Sequence, residues 1–144
     1  SPQIIDEFLM PEYARLFAFY KDRGVLVNFH SCGHILPLVD TLVALGVDIL
    51  NPAQATANDL DELRRRTQGR IALHGGVSSA TVVAGPVEAI RGEVAQRLWQ
   101  LGRDGGYFCC PDQGMPWPEE HIQALYDAVD ELGRYPLRPP GGGQ

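Results

Sequence analysis

Thiol and imidazole groups gather at a few points of this chain, and each point closes an apolar run. His30-Ser31-Cys32-Gly33 forms a turn after Val25–Phe29, His74 follows Ile71-Ala72-Leu73, and Cys109 and Cys110 stand side by side after Tyr107-Phe108. The amides Asn51 and Gln54 flank Pro52 after a further run, Val47–Leu50. Thiols and imidazoles carry protons, attack electrophiles and bind metals, so bringing them together from distant parts of a sequence suggests a site. The count of 3 cysteines in 144 residues is odd. That argues against a disulfide-stapled secreted fold and for a reducing cytoplasm.

To share one site, these residues need elements that end together. The runs Val25–His30, Val47–Asn51, Ile71–His74 and Tyr107–Cys110 read as buried parallel strands. Segments of helical period lie between them: Ile35, Leu38, Leu42 and Leu45 form one stripe, Leu60 and Leu63 follow the N-cap candidate Asn58, and Ile90, Val94, Leu98 and Leu101 form a third. Pro2, Pro86 and Pro118 suit the first turn of a helix. Successive strand–helix units demand right-handed crossovers and a parallel sheet, which a doubly wound fold and part of a (β/α)8 barrel both satisfy. Either collects strand C-termini at one rim, placing His30, Asn51, Gln54, His74 and one of Cys109 and Cys110 there. Gly75-Gly76 and Gly105-Gly106 read as tight turns, and no Gly-x-Gly-x-x-Gly follows a strand, so no dinucleotide site is expected.

The opening helix, near Pro2 to Asp22, should kink or break at Pro11, with Phe8, Tyr13, Phe17 and Tyr20 serving packing. The last helix carries Ile122, Leu125, Val129 and Leu132 on one face, and Gly133 closes it. The Pro- and Gly-rich tail, residues 136–144 of the chain, is expected to be mobile beside a domain of residues 1–135. With 18 acidic against 12 basic side chains the net charge is −6, and the single basic run, Arg64-Arg65-Arg66, sits among Asp59, Asp61 and Glu62. A nucleic-acid partner is therefore not expected. No apolar run approaches the roughly 20 residues of a membrane helix, and Ser1-Pro2-Gln3 does not open a signal peptide. The lack of an initiator Met suggests a trimmed or partial chain.

Several strings together resemble the C-terminal half of the uroporphyrinogen decarboxylase superfamily. They are Gly24 through the His-Ser-Cys-Gly turn, Gly46-Val47-Asp48-Ile49-Leu50-Asn51-Pro52-Ala53-Gln54, His74-Gly75-Gly76-Val77, Gly85-Pro86 opening a helix, Gly105-Gly106-Tyr107, and Pro111 through Pro118. The resemblance implies an α/β fold, the C-terminal half of a (β/α)8 TIM barrel, with four parallel strands and flanking helices. A complete barrel takes on the order of 250 residues. Half of one leaves two open sheet edges, so self-association or a missing N-terminal half-barrel is expected to cover them.

At least two chemistries occur in that superfamily. Corrinoid-linked methyltransferases pass a methyl group to a thiol and hold zinc with a His-x-Cys turn and a distant Cys. The resemblance assigns these ligands to His30, Cys32 and Cys109, with the alternative that Gln113 stands where the distant Cys belongs. Zinc and a corrinoid methyl donor are the cofactors so implied. Uroporphyrinogen decarboxylases need no cofactor and hold a tetrapyrrole, partly through a His in a Gly-His-Gly turn; here Asp112-Gln113-Gly114 matches that turn, and Gln113 replaces the His. A non-catalytic binding or assembly module is the third reading. His74 and Gln113 are the candidate catalytic residues, and Asn51 and Gln54 the candidate substrate ligands. Duller roles remain open beside these: loop closure for the two amides, a satisfied rim position for His74, and a solvent-facing surface for His34 and His121. Ser78 stands where many relatives carry an acidic residue. In a flat sheet the first and fourth strands lie about 14 Å apart, so a shared metal would require strong curling or closure by a partner.

Overall fold

The computed structural model describes residues 2–141; the last three positions of the expected mobile tail, 142–144, lie outside the described residues. Four strands, β1 (Asn28–His30), β2 (Ile49–Asn51), β3 (Ala72–Val77) and β4 (Tyr107–Pro111), form one sheet in the order β1-β2-β3-β4. Every neighbouring pair is parallel. The expected topology is thus observed, with shorter first and second strands. Val25 and Leu26 stay outside β1 and are exposed, because pairing begins only where Val27 O receives the N–H groups of Asp48 and Ile49.

A helical turn at Pro2–Ile4 and a wider turn at Ile5–Leu9 lead into α1 (Met10–Lys21). The irregular turn sits just ahead of Pro11, which lacks the N–H that a regular helix would donate back to Glu7. A 3₁₀ turn at Leu36–Leu38 and α2 (Val39–Ala44) connect β1 to β2, and α3 (Leu60–Thr67) connects β2 to β3. Between β3 and β4 run α4 (Ser79–Ala84) and α5 (Val87–Arg97), the latter prolonged by a wide turn at Leu98–Gly102, and α6 (Glu119–Leu132) follows β4. Asp59, not Asn58, caps α3, accepting from the N–H groups of Asp61 and Glu62 at 3.0 and 3.1 Å. Gly133 closes α6 as expected.

Alternation along the strands divides the sheet into two faces. Leu50, Leu73, Val77, Tyr107 and Cys109 point to the helices and join the two apolar cores. Asn28, His30, Asn51, His74 and Phe108 belong to neither, and Phe108 remains 50% exposed. One face is therefore packed and the other open. Tyr13 stacks on Phe17 at 5.4 Å and both meet Phe29 edge-on, so these aromatics do pack; Phe8 and Tyr20 are exposed instead. His121, expected on the surface, ties α6 to α4 by a 2.9 Å bond from Nδ1 to Val82 O. Just ahead of the tail Tyr135 donates to Gly102 O, and within the tail Leu137 packs against the second core.

Asp48 fastens the entry to the sheet. Its carboxylate accepts from Lys21 Nζ at 2.7 Å and from Val27 N at 2.8 Å. Burial pushes this carboxyl upward, but the Lys21 and Val27 bonds outweigh burial and hold it below its ordinary 3.8. Its contribution is complete above that value and lost as pH falls below it. Asp48→Asn should therefore be less stable than wild type at pH 7, with the difference closing below pH 3.8 in acid titrations of unfolding. Leu73 is fully buried at the centre of the sheet; Leu73→Ala should lower stability by about 2–5 kcal/mol, read as a lower urea midpoint.

Candidate functional site at the strand mouth

Because the strands are parallel, their C-terminal ends share one rim, and the open face delivers polar side chains to it. In register, His30 lies beside Asn51 on one flank and His74 beside Phe108 on the other. A cleft of about 350 Å³ at this rim is lined by His30, Asn51, His74, Cys110, Gln113 and Trp117 among others. The residues singled out in the sequence thus converge on the cleft or, for Cys32, on the Gln113 that lines it, with two exceptions.

The first exception is Cys109. Its side chain points to the helical side, where with Leu98, Val129 and Leu137 it lines a different cavity between the sheet and the helices. Burial pushes this thiol up to about 11. Cys110 is the thiol at the mouth, since one step along a strand reverses the face. Its Sγ lies 3.6 and 3.5 Å from Nδ1 and Nε2 of His74. Burial raises the Cys110 thiol and lowers the His74 imidazole, favouring the neutral form of each. The His74 ring also leans on Phe108, with centroids 5.8 Å apart.

The second exception is Gln54, which braces the mouth from outside the cleft. Its Oε1 accepts from Gly33 N at 2.8 Å and its Nε2 reaches Thr56 Oγ1 at 3.3 Å. Asn58 completes the brace, accepting from Ile35 N at 2.8 Å and donating to Gly33 O at 2.9 Å. Gly33 itself has φ +86°, which the turn requires and a side chain would resist.

So braced, the turn presents an exposed Cys32 with Sγ 3.6 Å from His30 Nε2. From the opposite edge of the sheet Gln113 reaches over, its Nε2 donating to the same sulfur at 3.2 Å. The loop after β4 therefore spans the distance that the strands alone leave open. Sequence reasoning missed what holds that loop. Asp112 is buried and accepts from Ser79 N at 3.0 Å and Ser79 Oγ at 2.6 Å, while Gln113 N donates to Ser79 Oγ at 2.8 Å. A lone Asp beyond a strand end was the available signal. Near Ser78 a carboxylate is also present, supplied by Glu93, which accepts from Ser78 N at 2.9 Å and pairs with Arg97.

Two tetrahedral zinc ligands, an imidazole at about 2.05 Å and a thiolate at about 2.3 Å from the metal, lie about 3.6 Å from each other. The His30–Cys32 separation matches that spacing. No third His, Cys, Asp or Glu joins them in a metal-binding group among the described residues. The third neighbour is the Gln113 amide, a neutral and harder donor.

A sheet of four parallel strands, helices along one face and a polar mouth at the C-terminal rim together match half of a (β/α)8 barrel. The chain belongs to the uroporphyrinogen decarboxylase (URO-D) family, whose model matches residues 1–132. Among solved structures it is similar to a methyltransferase from Methanosarcina mazei, with 26% identity and a TM-score of 0.76. That likeness covers 93% of this chain and 38% of the methyltransferase, so the chain spans little more than a third of that protein's length. No curated protein matches the sequence at a significant level. Among the described residues no helix is long and apolar enough to cross a membrane.

The three thiols should separate by reactivity. Cys32 should be alkylated first by iodoacetamide at pH 7.5 and Cys109 last, the Cys109 rate rising about tenfold per pH unit up to its thiol pKa. Peptide mass spectrometry reads the order; Cys109 labelling as fast as Cys32 would contradict the assignment of faces.

Proposed function

We propose that this chain is the thiol-activating half of a methyltransferase, in which a small thiol at the strand mouth accepts a methyl group. The observation that carries this reading is the meeting of Cys32, His30 and Gln113 on one sulfur from opposite edges of the sheet. The likeness to a methyltransferase over nearly the whole chain supports it.

In this reading His30 and Cys32 hold zinc, and Gln113 takes the place of a third ligand; turning its amide over would present Oε1 where Nε2 now stands. Zinc bound there would lower the pKa of a substrate thiol enough to leave its sulfur anionic at neutral pH. His74, kept neutral by burial, offers a ring nitrogen to accept the departing proton, and Asn51 orients the substrate beside it. Gln54 and Asn58 keep the His30–Cys32 turn in shape. A methylated corrinoid would supply the methyl group, and an N-terminal half-barrel or a second copy would close the edges of β1 and β4. Tetrapyrrole decarboxylation is less well supported, because Gln113 stands where the resemblance places the His of that branch.

Metal content of the purified protein tests the reading independently of turnover. Zinc should be retained in Cys109→Ser, lost in Cys32→Ser and His30→Gln, and bound more tightly in Gln113→Cys. Full zinc in Cys32→Ser would overturn it.

A further inference from the structure

The Arg64-Arg65-Arg66 run plays no part at the strand mouth. It belongs to the last turn of α3, near the end of the sheet where β3 and β4 begin. Arg65 is gripped by Glu62 through two bonds of 2.8 and 2.7 Å. Arg66 pairs with Asp40 at 2.8 Å and donates to Leu36 O at 2.8 Å. Arg64 is treated differently. It is 7% exposed, it makes no ion pair among the described residues, and its one hydrogen bond runs from Nη2 to Gly105 O at 2.8 Å. Its Nε is buried without a partner. Of the five N–H groups on this guanidinium one is used, and a buried charge so poorly matched is costly unless something else answers it.

A pocket of about 230 Å³ opens beside it, lined by Arg64 and Arg70, by Asp104, and by the backbone of Gly69, Gly105 and Gly106. Asp104 is the one carboxylate in that lining, and it is engaged elsewhere: Gln68 Nε2 donates to it at 3.1 Å and Arg103 Nε lies 3.5 Å away. Gly106, at φ +65°, leaves space where a Cβ would stand 3.8 Å from Arg64 Nη1. The result is a small cationic hollow in a chain of net charge −6. Burial pulls the Arg64 guanidinium down from its ordinary range despite Asp104 nearby, which agrees with an incompletely compensated charge.

We propose that this hollow binds a small tetrahedral oxyanion, either free phosphate or the phosphoryl group of a small metabolite, between Arg64 and Arg70. Guanidinium groups suit such an ion, since their planar N–H groups match its oxygens. The site lies at the strand N-termini, away from the cleft of His30 and Cys32, and does not depend on the methyltransferase reading.

Thermal unfolding of the whole chain at fixed ionic strength tests it, with inorganic phosphate in one arm, glycerol phosphate in a second and chloride as the reference. Phosphate should raise the midpoint saturably by roughly 3 °C or more. An equal response to glycerol phosphate identifies a phosphoryl site open to metabolites, and no response identifies one closed around the free ion. Arg64→Met should abolish the saturable shift. Arg70→Ala, at an exposed position where the side chain otherwise donates to Arg66 O, should weaken it at least about tenfold in half-saturating concentration. A phosphate response unchanged in Arg70→Ala, or no saturable response in wild type, would overturn the proposal.

Discussion

A parallel strand cannot return to its neighbour without crossing the sheet, and successive right-handed crossovers in one direction all fall on the same side. With the strands in the order β1-β2-β3-β4, that single constraint decides most of this molecule. Helices cover one face, where Leu50, Leu73 and Val77 are sealed from water, and leave the other bare. Alternation then sorts the side chains without further instruction: what suits oil goes one way, and His30, Asn51 and His74 go the other. The parallel direction carries these polar groups to a common rim. Chemistry is possible at that rim because the same geometry that builds the core excludes apolar packing from its opposite face.

Much of this was legible because apolar runs and helical stripes are local patterns. The strands, their order and the rim positions of His30, Asn51 and His74 followed from spacing alone. What was not legible depended on partners distant in sequence. Gln54 looked like a ligand residue, but its carbonyl is taken by Gly33, 21 positions away. His121 looked like a surface residue until Val82, 39 positions away, supplied its acceptor. Asn58 looked like a helix cap because its neighbour Asp59 has the same chemistry, and only the path of the turn decides which oxygen meets the first free N–H groups. The choice between Cys109 and Cys110 failed for a related reason. A period of two is readable in a strand, but its phase must be set by a residue of known face, and Tyr107-Phe108 offers an aromatic to each side.

The mouth depends on a lock that is itself buried. Through Ser79, the carboxylate of Asp112 fixes the loop after β4 to the start of α4, and this holds Gln113 in reach of Cys32 across 81 positions of sequence. Strand spacing alone would keep those edges apart. A hydrogen-bonded carboxylate below the rim thus performs the closure that curling of the sheet would otherwise have to supply, and the two edges can be brought into chemical contact while the sheet itself stays short.

The neighbouring thiols of β4 give this rim an unusual tolerance. A strand that gains one residue ahead of a given point turns every later side chain over, exchanging the packed face for the open one. At most positions such an insertion would replace a mouth residue with an apolar one. Ahead of Cys109 it would instead carry Cys109 to the place that Cys110 now holds, so that His74 would still face a sulfur. Doubling the residue type along the strand keeps a sulfur beside His74 after such an insertion, which a single cysteine could not do.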